Sequence, residues 1–274
     1  MKAPTQTAKA KAALHLTFGK ATDAQGYVNL PQENLIAGVR LDQFEKDLRR
    51  GDGDELQAKL RAVHSSSALA VNCFAPFKDR KEDIHLLGRH GAVGIEFEWP
   101  LRIFRGGTPA NLDVWVDQGN RAVAIESKLL EYFEPKKPKF SPAYERLAPP
   151  ISDSHWWAAY TDAKQGAVQH LDRAQLLKHY FGLNQLQRRR QSQQPPAPPQ
   201  DLVLLYLFWE PVNAPDLAIC HQHRTEIQEL ARQVSDSAVK FRWISYPKLW
   251  QEWIAIPALA EHAENLKRRY EVGL

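Results

Sequence analysis

The sequence predicts an α/β fold, and three features of the 274-residue chain indicate it. Residues 111–130 have the pattern of two short strands around a turn at 117–120, because runs of Val, Ile, Leu and Trp flank turn-forming residues. Residues 202–209 form an apolar run without charges, which is typical of a strand buried on both faces. Residues 226–269 then read as helix, strand and helix, a pattern that adds α and β layers to the same domain.

The composition is that of a globular protein, with 43% hydrophobic and 25% charged residues. The net charge of +4 permits a polyanionic partner without requiring one. Two cysteines, Cys73 and Cys220, argue against a disulfide scaffold and against a cysteine-rich zinc site. No apolar run approaches the ~20 residues that span a bilayer, and no signal-peptide core follows Met1. We therefore expect a cytoplasmic protein.

Three charged residues interrupt the two strands of 111–130: Asp113 in the first, and Glu126 and Lys128 in the second. Side chains alternate across a strand, so Glu126 and Lys128 share a face, about 7 Å apart along the strand. An ordinary solvated Glu–Lys pair is the alternative. The second strand is apolar on both faces, however, and an unpaired charge in such a strand would be very costly. The three charges are therefore interpreted as a site.

The position of Asp113 depends on the turn. An even-numbered loop would pair Val116 with Arg121. Asp113 would then lie opposite Ala124 and diagonal to Glu126, at roughly 7–8 Å, a gap that a divalent ion between two carboxylates would fit. An odd-numbered loop without a bulge would place Asp113 on the other face of the sheet.

An acidic residue on one strand followed by Glu-x-Lys on the next resembles the signature of the PD-(D/E)XK nuclease superfamily, the restriction-endonuclease-like fold. The matching residues are Asp113 and the Glu-Ser-Lys run at 126–128. The sequence departs from the pattern at Leu112, where the family often has proline; here Pro109 lies four residues before the aspartate. The resemblance covers roughly residues 51–209.

The resemblance implies an αβββαβ core over residues 51–209, in which a mixed central sheet is flanked by helices. A C-terminal αβα extension over 210–274 completes a single domain, 51–274. Before it, the basic segment 1–40 is expected to form a disordered or loosely docked arm, with a nucleic-acid-contacting arm as the alternative. Residues 41–50 are predicted to form a short helix.

The resemblance also implies the chemistry. Asp113 and Glu126 would hold Mg²⁺, with Mn²⁺ as a substitute and the carbonyl of Ser127 as a further oxygen ligand. Lys128 would orient the attacking water or help to deprotonate it, and would offset charge in the transition state. The implied activity is metal-dependent hydrolysis of DNA phosphodiester bonds by an endonuclease, with DNA as partner, no membrane and a homodimer as one possible assembly.

A helix is predicted over residues 54–71, with Glu55 in its first turn, where the helix dipole favours a negative charge. Many nucleases of this superfamily place an acid from the helix before the sheet at the metal, and Glu55 is the candidate. Residues 93–103 are predicted to form a strand with Glu96 and Glu98 on one face. Either could reach the site and join the metal shell, for which Glu96 is the first choice, or could face solvent.

A second helix is predicted over residues 163–181, with Gly182 placed to end it. Gln175 and His179 lie four residues apart on its apolar stripe, where polar side chains need partners. They are either two satisfied core residues or, as the resemblance implies, site residues facing the metal and DNA, with Gln175 assigned to catalysis.

Residues 131–150 are predicted to form a long irregular loop beside the site. Its lysines and aromatic residues either bind phosphate and stack on bases, or the aromatics only pin the loop. These residues are Tyr132, Phe133, Lys136, Lys137, Lys139, Phe140 and Tyr144.

Two other classes of function stay open from the sequence. The first is a nuclease fold without catalysis that serves as a DNA-binding or assembly subunit. The second is a metal-dependent hydrolase of another phosphoester. Within the nuclease interpretation, restriction or defence and repair are equally open.

Overall fold

The computed structural model of the chain describes residues 4–50, 56–195, 197–198 and 200–274. The helices in these ranges are α1 (Gln6–Phe18), α2 (Glu45–Leu48), α3 (Ser66–Phe74), α4 (Ser154–Gln165), α5 (Arg173–Gln191), α6 (Ala218–Gln233), α7 (Tyr246–Ile254) and α8 (Pro257–Tyr270). The strands are β1 (His85–Leu86), β2 (Arg89–His90), β3 (Gly94–Leu101), β4 (Ala110–Asp117), β5 (Arg121–Lys128), β6 (Asp201–Phe208) and β7 (Lys240–Ser245).

A five-stranded mixed sheet with the order β3-β4-β5-β6-β7 forms the centre of the fold. Strands β3, β4 and β5 are antiparallel neighbours, whereas β5, β6 and β7 run parallel. Parallel neighbours need a crossover connection, and helices supply it on both occasions. Apolar residues of α3, α7 and α8 cover one face of the sheet, and those of α4, α5 and α6 cover the other. The predicted α/β fold with a mixed central sheet flanked by helices is thus confirmed.

The middle strands β5 and β6 are almost wholly buried, as their apolar patterns predict. Val123 and Ile125 face the α3 side, and Ala122 and Ala124 face the α5 side. The site therefore lies in a strand that the fold holds rigidly on both faces.

The C-terminal extension follows the predicted helix–strand–helix order. The final helix is divided in two, because Pro257 begins α8 and cannot donate a backbone hydrogen bond to a continuous helix. No helix within the described ranges combines the length and the apolar character needed to span a bilayer. Both cysteines are free and buried.

The prediction of a disordered or loosely docked N-terminal arm is wrong for its described part. Helix α1 packs against α8 and buries Ala10, Leu14 and Phe18. The guanidinium of Arg269 lies 4.6 Å from the centre of the Phe18 ring and fastens the two helices further. These three apolar residues, spaced by four, form a narrow stripe along the helix. The lysines between them make the segment basic overall, so its composition does not reveal the stripe.

The helix predicted over 54–71 is wrong in its start, because within the described part of that range only residues 66–71 are α-helical. Helix α3 begins only at residue 66, where the hydroxyl of Ser65 accepts a hydrogen bond from the amide of Ala68 at 3.2 Å. Just before it, Ala62 forms a β-bridge with Tyr27. This long-range pairing holds the chain in an extended conformation, and local sequence does not reveal it.

The helix predicted over 163–181 is also wrong in its bounds. Helix α5 begins after Asp172, whose carboxylate accepts from the amide of Gln175 at 3.0 Å, and continues through Gly182. A Cβ atom at Gly182 would lie 2.6 Å from Cβ of Leu101 in β3. Glycine is needed there for the close approach of helix and sheet, and it does not end the helix.

Candidate active site

The register of β4 and β5 sets the position of the two candidate carboxylates. The ladder ends with the pair Val114–Ile125, and the next residues along are Asp113 and Glu126. Asp113 therefore lies opposite Glu126. The predicted register, which places Asp113 opposite Ala124, is wrong by two residues. The loop is even-numbered, as the argument required, so Asp113 and Glu126 share a face of the sheet.

The sheet is irregular on both sides of Asp113. On the β5 side its Oδ2 accepts a hydrogen bond from the amide of Ser127 at 2.7 Å. On the β3 side the ladder skips the residue opposite, Glu98, which has a φ of 47°. Beyond this break, Trp99 stacks on Trp115, so the predicted alternation of β3 fails after Glu98. The break exposes Asp113 to neighbours from both adjacent strands.

Glu126 is held between two nitrogen groups on the α5 side of the sheet. Its Oε1 forms an ion pair with Nζ of Lys128, and its Oε2 lies 2.5 Å from Nε2 of His179 in α5. The side-chain amide of Gln175 lies 3.1 Å from the same ring nitrogen. Only 3% of the Glu126 side chain is exposed. The predicted pair on the helical stripe, Gln175 and His179, thus lies beside Glu126.

The electrostatics of the two acids differ. Burial raises the pKa of the Asp113 carboxyl well above its usual range, and the charge of Glu126 raises it further. Burial would also raise the pKa of Glu126, but the charges of Lys128 and His179 outweigh burial and lower it to about 2. The metal-free site therefore favours a proton on Asp113 beside an ionised Glu126.

Lys128 is the third member of the set, and 15% of its side chain is exposed. Burial would lower its pKa, but Glu126, Glu131 and Asp113 raise it well above its usual range. The ammonium is therefore firmly protonated. Sequence reasoning does not single out Glu131, which lies three residues after the end of β5 and accepts a hydrogen bond from the amide of Leu129 at 2.7 Å. Its position just past the end of the Glu-x-Lys strand is the signal that could have identified it.

The structure separates the remaining acidic candidates. Glu96 lies on edge strand β3 and accepts a hydrogen bond from Arg50 at 3.0 Å, with 40% of its side chain exposed. It is the charge of Glu98 that acts on Asp113 and contributes to its raised pKa. The first choice of Glu96 for the site therefore gives way to Glu98. Glu55 lies outside the described residues, and its role stays a prediction.

A cleft of about 360 Å³ opens beside this site, and Glu98, Asn111, Gln175 and Lys178 line it. It is wide enough to admit a small polar group next to the acids. Glu98 and Gln175 link it to Asp113 and to the His179–Glu126 contact.

The loop over 131–150 contains two short 3-10 helices and a single β-bridge from Lys136 to Gln169, and is otherwise irregular. Its aromatic residues Tyr132, Phe133 and Tyr144 are buried and pin the loop, so they do not offer surfaces on which bases could stack. Its three lysines, Lys136, Lys137 and Lys139, are exposed. The loop therefore supplies charge to the surface near the site and aromatic rings to the core.

The donor set fits a hard divalent cation. Within the described ranges, no group of three or more His, Cys, Asp and Glu side chains is arranged to hold a metal ion. Mg²⁺, however, is usually held by one or two carboxylates with several waters, and Asp113 and Glu126 provide two. Each Glu126 oxygen has a lone pair beyond its contact with Lys128 or His179. Asp113 likewise has Oδ1 beyond its bond to Ser127, and a cation would offset the charge that raises its pKa.

Comparison with known proteins places the chain against a family model. A family model described as "Restriction Endonuclease associating with ARP" matches residues 2–271, which is almost the whole chain. No curated protein and no solved structure matches the chain.

Proposed function

The chain belongs to the family described as "Restriction Endonuclease associating with ARP", and we propose from this and from the site that it is a Mg²⁺-dependent endonuclease acting on DNA. The relationship to restriction-endonuclease-like nucleases that the Asp and Glu-x-Lys pattern predicts is confirmed at the level of this family. The observation that carries the proposal is the arrangement of Asp113, Glu126 and Lys128. Asp113 lies opposite Glu126 on the adjacent strand and accepts from the amide of Ser127, and the ammonium of Lys128 is paired with Glu126.

Each residue has a distinct role in this proposal. Mg²⁺, when bound, would offset charge on the phosphate and lower the pKa of a water molecule. Asp113 would be a ligand only in its deprotonated form, because metal ligands must be deprotonated. Lys128 acts as a cation that orients water and stabilises developing negative charge; its raised pKa argues against a role as a base. His179 donates to Glu126 and fixes the direction of its carboxylate.

A partner protein is part of the proposal. The family description names association with ARP, and we extend that association to this chain on the description alone. The surface that would bind this partner is not assigned. A restriction or defence role agrees with the description better than repair does.

The main alternative is a nuclease fold that binds or assembles without cutting. The observation in its favour is that both oxygens of Glu126 are already engaged, by Lys128 and by His179. In that case the contacts would serve only to fix the carboxylate within the sheet.

Cleavage assays on supercoiled and linear DNA with Mg²⁺ test the proposal. Asp113→Asn and Glu126→Gln should each abolish cleavage, while thermal unfolding shows that both variants fold. Glu145→Gln is the matched control, because Glu145 is also paired with a lysine but lies on the surface. Cleavage by both site variants at the parental rate would refute the assignment.

A further inference from the structure

A second cleft, of about 300 Å³, lies between three parts of the chain. Helix α1 contributes Lys11, the segment before α3 contributes Lys59 and His64, and the segment after β5 contributes Glu131 and Lys136. None of the nuclease residues described above accounts for this cleft. Helix α1 thus forms one wall of the cleft.

The surroundings of the cleft carry positive charge. Three lysines line it, against Glu131 and the exposed Glu134. Behind His64 lies Arg269, which is 7% exposed and donates to the carbonyl of Val63 at 2.8 Å. Another of its hydrogen bonds goes to an amide oxygen, so the bonds described for this buried guanidinium leave its charge unneutralised.

The pKa of His64 responds to the same positive surroundings. Burial lowers its pKa, and the positive charges of Lys11, His15 and Arg269 lower it further, to about 4. The imidazole is therefore neutral at pH 7, and a cation there would be repelled. A pocket with these surroundings favours an anion.

The cleft lies next to Lys128 of the candidate active site. Glu131 and Lys136 line the cleft and also border the small cavity that contains Lys128. The charge of Glu131 acts on His64 at one side and on Lys128 at the other. A chain of phosphates that leaves the Lys128 site in this direction would enter the cleft.

We propose that this cleft binds backbone phosphates of the nucleic-acid strand whose neighbouring phosphodiester lies at Asp113, Glu126 and Lys128. The inference rests on the proposed nuclease function and extends it, since it makes the N-terminal helix part of the substrate site. Lysines that neutralise phosphates release counterions, so the cleft would contribute salt-dependent affinity irrespective of base sequence.

The test compares two double variants with the same loss of charge. Lys11→Gln with Lys136→Gln removes two cations from the cleft. Lys9→Gln with Lys248→Gln removes two exposed lysines outside it. Lys9 lies on the same helix as Lys11 but roughly 200° around it, so the pair separates position from total charge.

Binding of a fluorescent DNA duplex is measured by anisotropy in EDTA over a series of salt concentrations, so that cleavage does not enter the result. The cleft variant should bind about tenfold or more weakly at low salt, and its slope of log K against log salt should fall by about 1.8, as expected for two lost phosphate contacts. The control should bind within about twofold of the parent with an unchanged slope.

Equal binding by the cleft and control variants would overturn the proposal, and so would a parent protein that does not bind DNA. If poly-glutamate displaced DNA and lost affinity through the same two lysines, the cleft would belong to an acidic protein and the proposal would fall. The parent's cleavage activity is scored separately. Cleavage with no difference between variants leaves the nuclease function standing without this cleft; selective loss of binding in a protein that does not cut leaves the cleft standing without the nuclease.

Discussion

Two Glu–Lys pairs in this protein have the same chemistry and opposite surroundings. Glu126 and Lys128 lie in the central sheet, where their side chains are 3% and 15% exposed. Glu145 and Lys164 lie on the surface, where theirs are 48% and 54% exposed. Each glutamate has a second partner besides its lysine. His179 contacts Glu126, and the hydroxyl of Tyr160 donates to Glu145 at 2.8 Å.

The difference bears on the role proposed for the buried pair. A surface pair is screened by water and salt and contributes little to stability. A buried pair loses the hydration of both charges, and replacing such a pair with apolar residues is often neutral or stabilising. The folded state therefore gains little from Glu126 and Lys128, whereas the chemistry proposed for the site requires both charges in one place.

The largest expected difference between the pairs is in cleavage. Lys128→Met should lower the rate of Mg²⁺-dependent DNA cleavage by about 10²–10³-fold, because a fixed cation beside the reacting phosphate is lost. Lys164→Met should cut at the parental rate. Single-turnover cleavage of a labelled duplex measures both, and equal rates for the two variants would remove the distinction between the pairs.

Stability should separate the pairs next. Lys128→Met leaves a buried carboxylate without its ammonium, and we expect the free energy of unfolding to fall by about 3–5 kcal/mol. The double variant with Glu126→Gln should recover most of that loss and still be inactive. Urea denaturation measures both, with Lys164→Met unchanged within error. A double variant no more stable than Lys128→Met would show that the two charges are not energetically coupled.

The second partner of each glutamate, His179 or Tyr160, should also differ in its effect on cleavage. His179→Gln should lower cleavage by about 10–100-fold, because the group that orients a ligating carboxylate is lost. Tyr160→Phe, which removes the hydroxyl that donates to Glu145, should have no effect. Mg²⁺ titration of the cleavage rate should show that His179→Gln binds the metal more weakly and needs more Mg²⁺ for half-maximal cleavage. A loss of rate with unchanged metal dependence would make His179 a packing residue only.

The smallest expected difference is in the pH dependence of stability. Burial and Glu126 raise the pKa of Asp113 above its unfolded value, so the folded protein keeps a proton that the unfolded chain has released. The free energy of unfolding therefore falls as pH rises from about 4 through the native pKa, by at most about 1.4 kcal/mol per pH unit.

Asp113→Asn should remove this slope in urea denaturation with EDTA. The contribution of Glu145 to the pH dependence of the free energy of unfolding should have the opposite sign. Hydrogen bonds from Lys164 and Tyr160 lower its pKa, so its contribution is lost as pH falls below about 4.3. A parental slope that persists in Asp113→Asn would assign it to other groups.

The sequence identifies the strands of this site well and the helices poorly. The apolar runs of β5 and β6 and the Glu-x-Lys spacing are local signals, and they place Glu126 and Lys128 on one face without tertiary information. The bounds of α3 and α5 depend on distant contacts: the bridge of Ala62 to Tyr27 and the packing of Gly182 on Leu101. A glycine can end a helix or let a helix approach a sheet closely, and the sequence alone does not distinguish the two roles.

The register error at Asp113 has a similar cause. The turn at 117–120 is recognisable, but its pairing is set by both strands together, and the result moves Asp113 from Ala124 to Glu126. The choice between Glu96 and Glu98 depends on a backbone break and on Arg50, neither of which is local. Local periodicity finds charged residues in strands; it does not decide which of them meet.

The most direct test of the central claim is the crystal structure of the protein with Mn²⁺, with the anomalous signal used to locate the ion. We predict one ion bound by both Asp113 and Glu126, with Lys128 at its side. A structure that shows no ion there, with Glu126 still engaged by Lys128 and His179 in saturating Mn²⁺, would contradict the account.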